Sequence, residues 1–341
     1  MSGKKPVPEL AAEGRMACVR KGRYPNMTDI TAIGEILIDL TQTGVNEAGV
    51  PLFAANPGGA PANVAVAASR LGAKAAFIGK VGRDGFGRYL RQVLERNGVD
   101  SSGLCVGSQA TTMAIVSVDG SGERSFRFVR GADCELRPEE VDGSLVRGSK
   151  ILHFGSVSLT RDTARSATIL AARTAREAGR LVSYDPNYRS ALWPDAAEAV
   201  KWMTLPLPLV DVMKLSEEEL PLLSGTSEPE EGSRRLSEKG ISLVMVTLGE
   251  AGAFCRWQGE GFLVPGAPVQ AVDTNGAGDA FLGAVLSRLC KREEGPLNGL
   301  ARRELEEIVA YANRAAAQTC SRSGAIPAMP TLAELEEAAS G

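Results

Sequence analysis

Six short runs rich in β-branched residues, at 30–38, 75–79, 151–154, 181–184, 210–214 and 241–247, alternate with stretches of helical periodicity. This alternation constrains the fold most, because neighbouring parallel strands need a crossover between them, usually a helix, and bury both faces. The expected architecture is α/β, a parallel sheet wrapped by helices. Pro61 opens one helix, with Val64, Ala68 and Leu71 on one face and Gly72 past its end. Phe86, Leu90, Val93 and Leu94, ahead of Gly98, mark the next. In open parallel sheets ligands gather beyond the carboxyl ends of the strands. Asp39, read as the end of the first strand, is expected there with Asp185-Pro186-Asn187, Ser216-Glu217 and Thr247-Leu248-Gly249.

Two segments break this rhythm. Residues 40–57 show no helical face, and residues 110–132 alternate as a hairpin around Asp119-Gly120. Strands inserted beside the expected site would form a lid. Their exposed edges would favour pairing with a second copy, so a homodimer through this small sheet is expected.

Composition narrows the class. A chain of 341 residues with 44% hydrophobic content can bury a large core, and is divided here into a leader at 1–26, a main domain at 27–332 and a tail at 333–341. The leader reads as disordered, with Met27 as an alternative start and a weak organellar transit peptide as the competing reading. Net charge is -3 without long single-sign runs, so no nucleic-acid footprint is present. No apolar run reaches the ~18 residues of a membrane span. The six cysteines are scattered without a CxxC pair, which argues against zinc and disulfides and fits the cytoplasm.

The stretch Asp273-Thr274-Asn275-Gly276-Ala277-Gly278-Asp279-Ala280-Phe281 sets a carboxylate behind a glycine turn that opens a helix. Gly276 and Gly278 let backbone N–H groups converge on an anion where the helix N-terminus is already positive. Asp279 either caps that helix or acts as a base. A second glycine turn, Asn56-Pro57-Gly58-Gly59-Ala60-Pro61-Ala62-Asn63, also runs into a helix start. There is no GxxxxGK[ST] loop, and no GxGxxG follows the first strand. His153 and the tryptophans Trp193 and Trp202 read as core residues, while Arg130 is left open between substrate and solvent.

GGAPANVAVAASRLG, GKVGRDGFG and DTNGAGDAF together resemble the signatures of the ribokinase-like, PfkB-type carbohydrate kinases. The resemblance covers the chain from about Met27 onward, and residues 153–159, 185–189 and 323–328 are most similar to its fructokinase branch. It implies a ribokinase-like three-layer fold, with a mostly parallel central sheet flanked by helices and a small β-sheet lid. It also implies ATP-dependent phosphorylation of a sugar, fructose in this branch, with 2-keto-3-deoxygluconate as the alternative substrate. A non-catalytic member acting as a binding or scaffold protein is the reading from a different class.

Carried over residue by residue, the resemblance makes Asp279 the base and gives the γ-phosphate to the amides of Gly276, Ala277 and Gly278. Asp39, Gly58, Gly59 and Asn63 fall on sugar-binding positions, supplemented by Asn187 and Arg189. Lys214, Glu219, Thr247, Gly249 and Asn313 fall on the ATP side, with Glu219 acting through water on Mg²⁺. Ser216 departs from the family's usual Asn. Asp273, Asn275, Thr319, Arg322 and Gly324 match a monovalent-cation site, implying K⁺, although Ala328 stands where some relatives supply a hydroxyl.

Overall fold

The computed structural model describes residues 28–118 and 124–340. Its strands are β1 (Thr28–Ile33), β2 (Leu37–Val45), β3 (Pro51–Gly58), β4 (Ala75–Gly82), β5 (Leu104–Gly107), β6 (Met113–Val118) and β7 (Arg124–Val129). They continue with β8 (Ser149–Gly155), β9 (Leu181–Asp185), β10 (Val212–Ser216), β11 (Leu243–Thr247), β12 (Ala253–Trp257) and β13 (Glu260–Val264). Nine form one sheet in the order β13-β12-β11-β10-β9-β8-β1-β4-β5, and β3-β2-β6-β7 form a second. Pairing in the large sheet is parallel from β11 through β5, and only the β11-β12-β13 edge is antiparallel.

The alternation that predicts the large sheet also explains its core. Strand residues such as Ile30, Ile33, Ile151, Leu152 and Val244 are buried, as strands covered on both faces must be. Helix Ala60–Arg70 packs against helix Ala277–Cys290 over β1. The second of these is apolar on nearly every side and buried from Asp279 to Ser287, so its first turn is fixed by the core. Helix Gly85–Arg96 is capped by Asp84, whose carboxylate accepts from Gly87 N at 2.8 Å.

One expectation needs correction. The run 30–38 is two strands in two sheets, because the chain turns away at Gly34, whose φ is +152° and where a Cβ would lie 2.7 Å from Pro61 Cγ. Asp39 therefore does not end the first strand; it is the third residue of β2, in the small sheet, opposite Asn56 and Ala114. The small sheet comes from the two segments that broke the helical rhythm: β2-β3 and β6-β7 are antiparallel, and β2-β6 is parallel. The turn expected at Asp119-Gly120 and the leader lie outside the described residues. Residues 333–340 belong to helix Leu332–Ser340, with Leu335 buried in the main core. Among the described residues no helix is long and apolar enough to cross a membrane.

Candidate active site

The two glycine turns meet at one carboxylate. Asp279 lies in the first turn of its helix, where Gly276 is the N-cap at φ +78° and no side chain caps the end. Asp279 Oδ2 accepts from Asn63 Nδ2 at 2.8 Å, and Oδ1 accepts from Asn187 Nδ2 at 3.2 Å. The helix-cap reading thus gives way to a carboxylate held by two amides from other elements. Asn63 comes from the helix that follows the Gly58-Gly59 turn, and Asn187, at φ +44°, from the turn after β9. Burial, then the nearby Asp185 carboxylate, pushes Asp279 up to about 6, against the Asn63 hydrogen bond and the charges of Lys214 and Arg189.

Beneath the anion turn sits a buried charge cluster. Lys214 Nζ is 3.0 Å from Asp185 Oδ2, and a methyl group on Gly278 would come within 2.7 Å of that ammonium. Burial disfavours this charge, but Asp185, Glu219 and Asp279 outweigh it and hold the lysine above its ordinary value. Asp185 Oδ1 also accepts from Asn187 N at 3.1 Å, so one carboxylate braces both the lysine and the turn that aims Asn187 at Asp279. Glu219 accepts from Tyr188 N at 2.5 Å and Ser216 N at 2.8 Å, and Ser216 Oγ accepts in return from Glu219 N at 3.3 Å. Burial first, then Asp185, raises the Glu219 carboxyl.

Asp39 faces the same cleft from the small sheet. Burial pushes it up to about 6, and Arg189, which also influences Asp279, opposes that shift. Gly58 leaves the space its carboxylate needs, since a Cβ there would overlap Asp39 Oδ2.

The remaining candidates lie around this centre. Thr247 ends β11, its carbonyl accepting from Glu217 N at 3.1 Å, and Gly249 follows at φ +56°. Asn313 Nδ2 donates to Val264 O at 3.2 Å and Pro265 O at 2.8 Å, tying its helix to the end of β13. Asp273 accepts from Asn275 N and Gly324 N, both at 3.0 Å, and so joins the loop before the anion turn to residues 319–324. Thr319 donates to Ala315 O at 2.9 Å, and Arg322 pairs with Glu334 at 2.7 Å.

Other side chains resolve toward packing. His153 Nδ1 lies 3.2 Å from Ser183 Oγ, and burial followed by the charge of Lys214 lowers it to about 3, so it is neutral. Trp202 Nε1 donates to Glu198, and Arg165 stacks 3.4 Å over its ring. Arg130 is paired with Asp133 at 2.6 Å and Thr160 at 2.9 Å.

Sequence reasoning left Asp185 and Glu35 off the list of site residues. Asp185 was visible as a strand-end acid, but its partner Lys214 lies 29 residues away on another strand. Glu35 is buried beneath the Gly59-Ala60 turn, with Oε1 accepting from Ala60 N at 3.1 Å. A lone carboxylate inside an apolar run was the only signal for it.

A buried carboxylate just inside a helix that opens at a glycine turn, at the carboxyl edge of a parallel sheet, is the arrangement expected of a phosphotransferase that acts on an alcohol. The chain belongs to the pfkB family of carbohydrate kinases, whose pattern it matches over residues 27–332. It is 43% identical to fructokinase-1 of Zea mays over 314 residues, covering 90% of this chain and 96% of that one. A fructokinase with bound ATP from Xylella fastidiosa superposes with a TM-score of 0.84 at 33% identity, covering 91% of this chain and 97% of that one. A fructokinase double mutant from Vibrio cholerae O395, in a form with fructose, ADP and potassium ion bound, gives 0.81 at 36% identity, covering 92% and 99%.

Proposed function

We propose that the protein is a fructokinase, moving the γ-phosphoryl group of ATP to the 6-hydroxyl of fructose with Asp279 as the general base. The observation that carries this is the Asp279 carboxylate, buried, oriented by Asn63 and Asn187, and placed one turn inside the helix that opens at the anion turn. Raised to about 6, the carboxyl is ionised near neutrality yet more basic than an exposed aspartate, which suits taking a proton from an alcohol. The amides of Gly276, Ala277 and Gly278 then face the phosphoryl oxygens as charge develops, with the Lys214 ammonium beneath them.

Asp39, Gly58, Gly59 and Asn63, with Asn187 and Arg189, form the sugar side. The small sheet that carries Asp39 serves as a lid, excluding water while the sugar is held. Thr247 and Gly249 border the nucleotide phosphates, and Asn313 lies toward the base.

Among the described residues no cluster of three or more His, Cys, Asp or Glu could hold a metal by itself. A Mg²⁺ ion would be held here chiefly through nucleotide phosphates and water, with the buried Glu219 carboxylate acting through water. When bound it neutralises charge on the phosphates. The loops joined by Asp273 offer oxygen donors suited to a monovalent cation such as K⁺. The free cysteines Cys105, Cys134, Cys255, Cys290 and Cys320 suit a reducing cytoplasm.

A sugar panel with an ADP-coupled assay tests the reading. Fructose should exceed 2-keto-3-deoxygluconate in kcat/KM by more than about tenfold, a gap of ~1.4 kcal/mol. The reason is electrostatic: the Asp39 and Asp279 carboxylates face the sugar and would repel an acid placed close by. A better rate with the acid would overturn fructose and keep the kinase. No turnover with any sugar would favour the binding-protein reading.

A further inference from the structure

Outside the catalytic centre, a cavity of about 290 Å³ lies between β7 and the turn at residues 190–192, lined by Arg127, Phe128, Arg130, Arg161, Ala191 and Leu192. Three guanidinium groups therefore converge on one concavity from separate parts of the chain. Arg130 is neutralised by Asp133, but the guanidinium groups of Arg127 and Arg161 have no hydrogen-bond or ion-pair partner among the described residues.

The placement of Arg161 sharpens the imbalance. It is the N-cap residue of the 16-residue helix Asp162–Glu177, where the helix dipole already disfavours a cation. Asp162, the acid of that first turn, is committed to Arg165 at 2.7 Å and is 95% exposed. Exposed arginines are ordinarily solvated and need no explanation. Two without a side-chain partner among the described residues, beside a third, around a cavity at a positive helix end, leave a potential that a multivalent oxyanion would neutralise with charge-assisted, forked hydrogen bonds.

The cavity also joins two bodies. Arg127, Phe128 and Arg130 come from β7 and the residue just past it, at the edge of the small sheet, whereas Arg161, Ala191 and Leu192 belong to the main domain. In the paired register Phe128 stands opposite Ala114, which stands opposite Asp39, so these three share the sugar-facing side. An occupant held here would bridge lid and body next to the sugar site.

We propose that this cavity binds the phosphate group of a sugar phosphate, the chemical class of the reaction's product, and that the bound molecule restrains the lid and slows turnover. The inhibitory half rests on the fructokinase reading; the binding half does not.

Titration calorimetry on the full chain, with inorganic phosphate as the probe, tests the binding half. Phosphate should bind equally with and without saturating fructose, and Arg127→Ala with Arg161→Ala should weaken it at least about tenfold. Undetectable binding, or binding unchanged in the double variant, would overturn the site. For the inhibitory half, fructose 6-phosphate should inhibit wild type with a component that saturating fructose cannot relieve. The double variant should lose that component while keeping uninhibited fructose turnover within about twofold. Purely competitive inhibition of wild type, or an unrelieved component that persists in the variant, would overturn the regulatory role. Absence of fructose turnover in wild type would instead defeat the fructokinase reading, with the phosphate titration still deciding the site.

Discussion

Burial acts on two carboxylates here to different ends. Asp279 is raised to about 6 in a site that supplies amide donors to both oxygens. A base must be ionised to work, so kcat/KM should fall as pH drops below about 6 and level off above it. Asp279→Asn should flatten that limb to the share left by Asp39, also raised to about 6, and lower kcat by on the order of 10²–10⁴, with sugar and ATP binding largely kept; near-wild-type turnover would reject the assignment. Glu35 is pushed further by burial, to about 7, and its Oε2 is buried with no partner among the described residues. Because its folded pKa lies above the ordinary 4.5, the contribution of Glu35 to stability is fullest below that value and is lost as pH rises through about 7. Glu35→Gln keeps the acceptor for Ala60 N and should raise stability at pH 8 by roughly 1–3 kcal/mol, with little gain at pH 4.5. Equal melting shifts at both pH values would show the carboxyl is not titrating there. Of the two, only Asp279 was legible in sequence, because a carboxylate behind Gly276-Ala277-Gly278 has a local chemical meaning. Glu35 acquires its meaning only when the Gly59-Ala60 turn folds over it.

At the scale of elements, the glycine turns separate stability from catalysis. Gly59 sits at φ +110°, and a Cβ there would meet Glu35 O at 2.6 Å, so Gly59→Ala must move backbone at the helix start. It should destabilise by roughly 1–3 kcal/mol and raise the fructose KM, which melting and saturation kinetics would read together. A Cβ on Gly278 instead meets the end of a flexible lysine, so Gly278→Ala should lower kcat by about tenfold or more while stability moves by less than about 1 kcal/mol. A matching loss of stability would mean that Lys214 is braced more rigidly than its side chain suggests. The helices bounded by Pro61 and Gly98 were legible because start and stop residues act locally. The break between β1 and β2 was not, since apolar residues resume directly after Gly34-Glu35 and periodicity does not say which sheet a strand joins. Likewise β5 has four residues, and β12 and β13 form an edge hairpin outside the βα rhythm.

For the whole molecule, the small sheet leaves apolar side chains exposed among the described residues. β6 pairs with β2 only at residues 38–41, so among the described residues the far half of the β2-β3 hairpin has no further strand beside it. There Val45 is 61% exposed, Val50 53%, Leu52 47% and Phe53 43%. Apolar side chains grouped on an uncovered sheet signal an interface, and a second copy of the same hairpin is the simplest self-complementary cover. Light scattering should therefore report a dimer, and Leu52→Lys with Phe53→Asp should shift it to monomer. Asp39 lies on the same β2 strand, opposite Asn56 of β3, so an unsupported hairpin should hold the sugar less firmly. The variant should show a fructose KM raised several-fold, with the ATP KM within about twofold of wild type. Adding fructose should slow hydrogen exchange in β2 and β3, and more so in the dimer, if the sheet closes over the sugar. A monodisperse wild-type monomer at assay concentration would reject the pairing, and exchange unaltered by fructose would reject the closure.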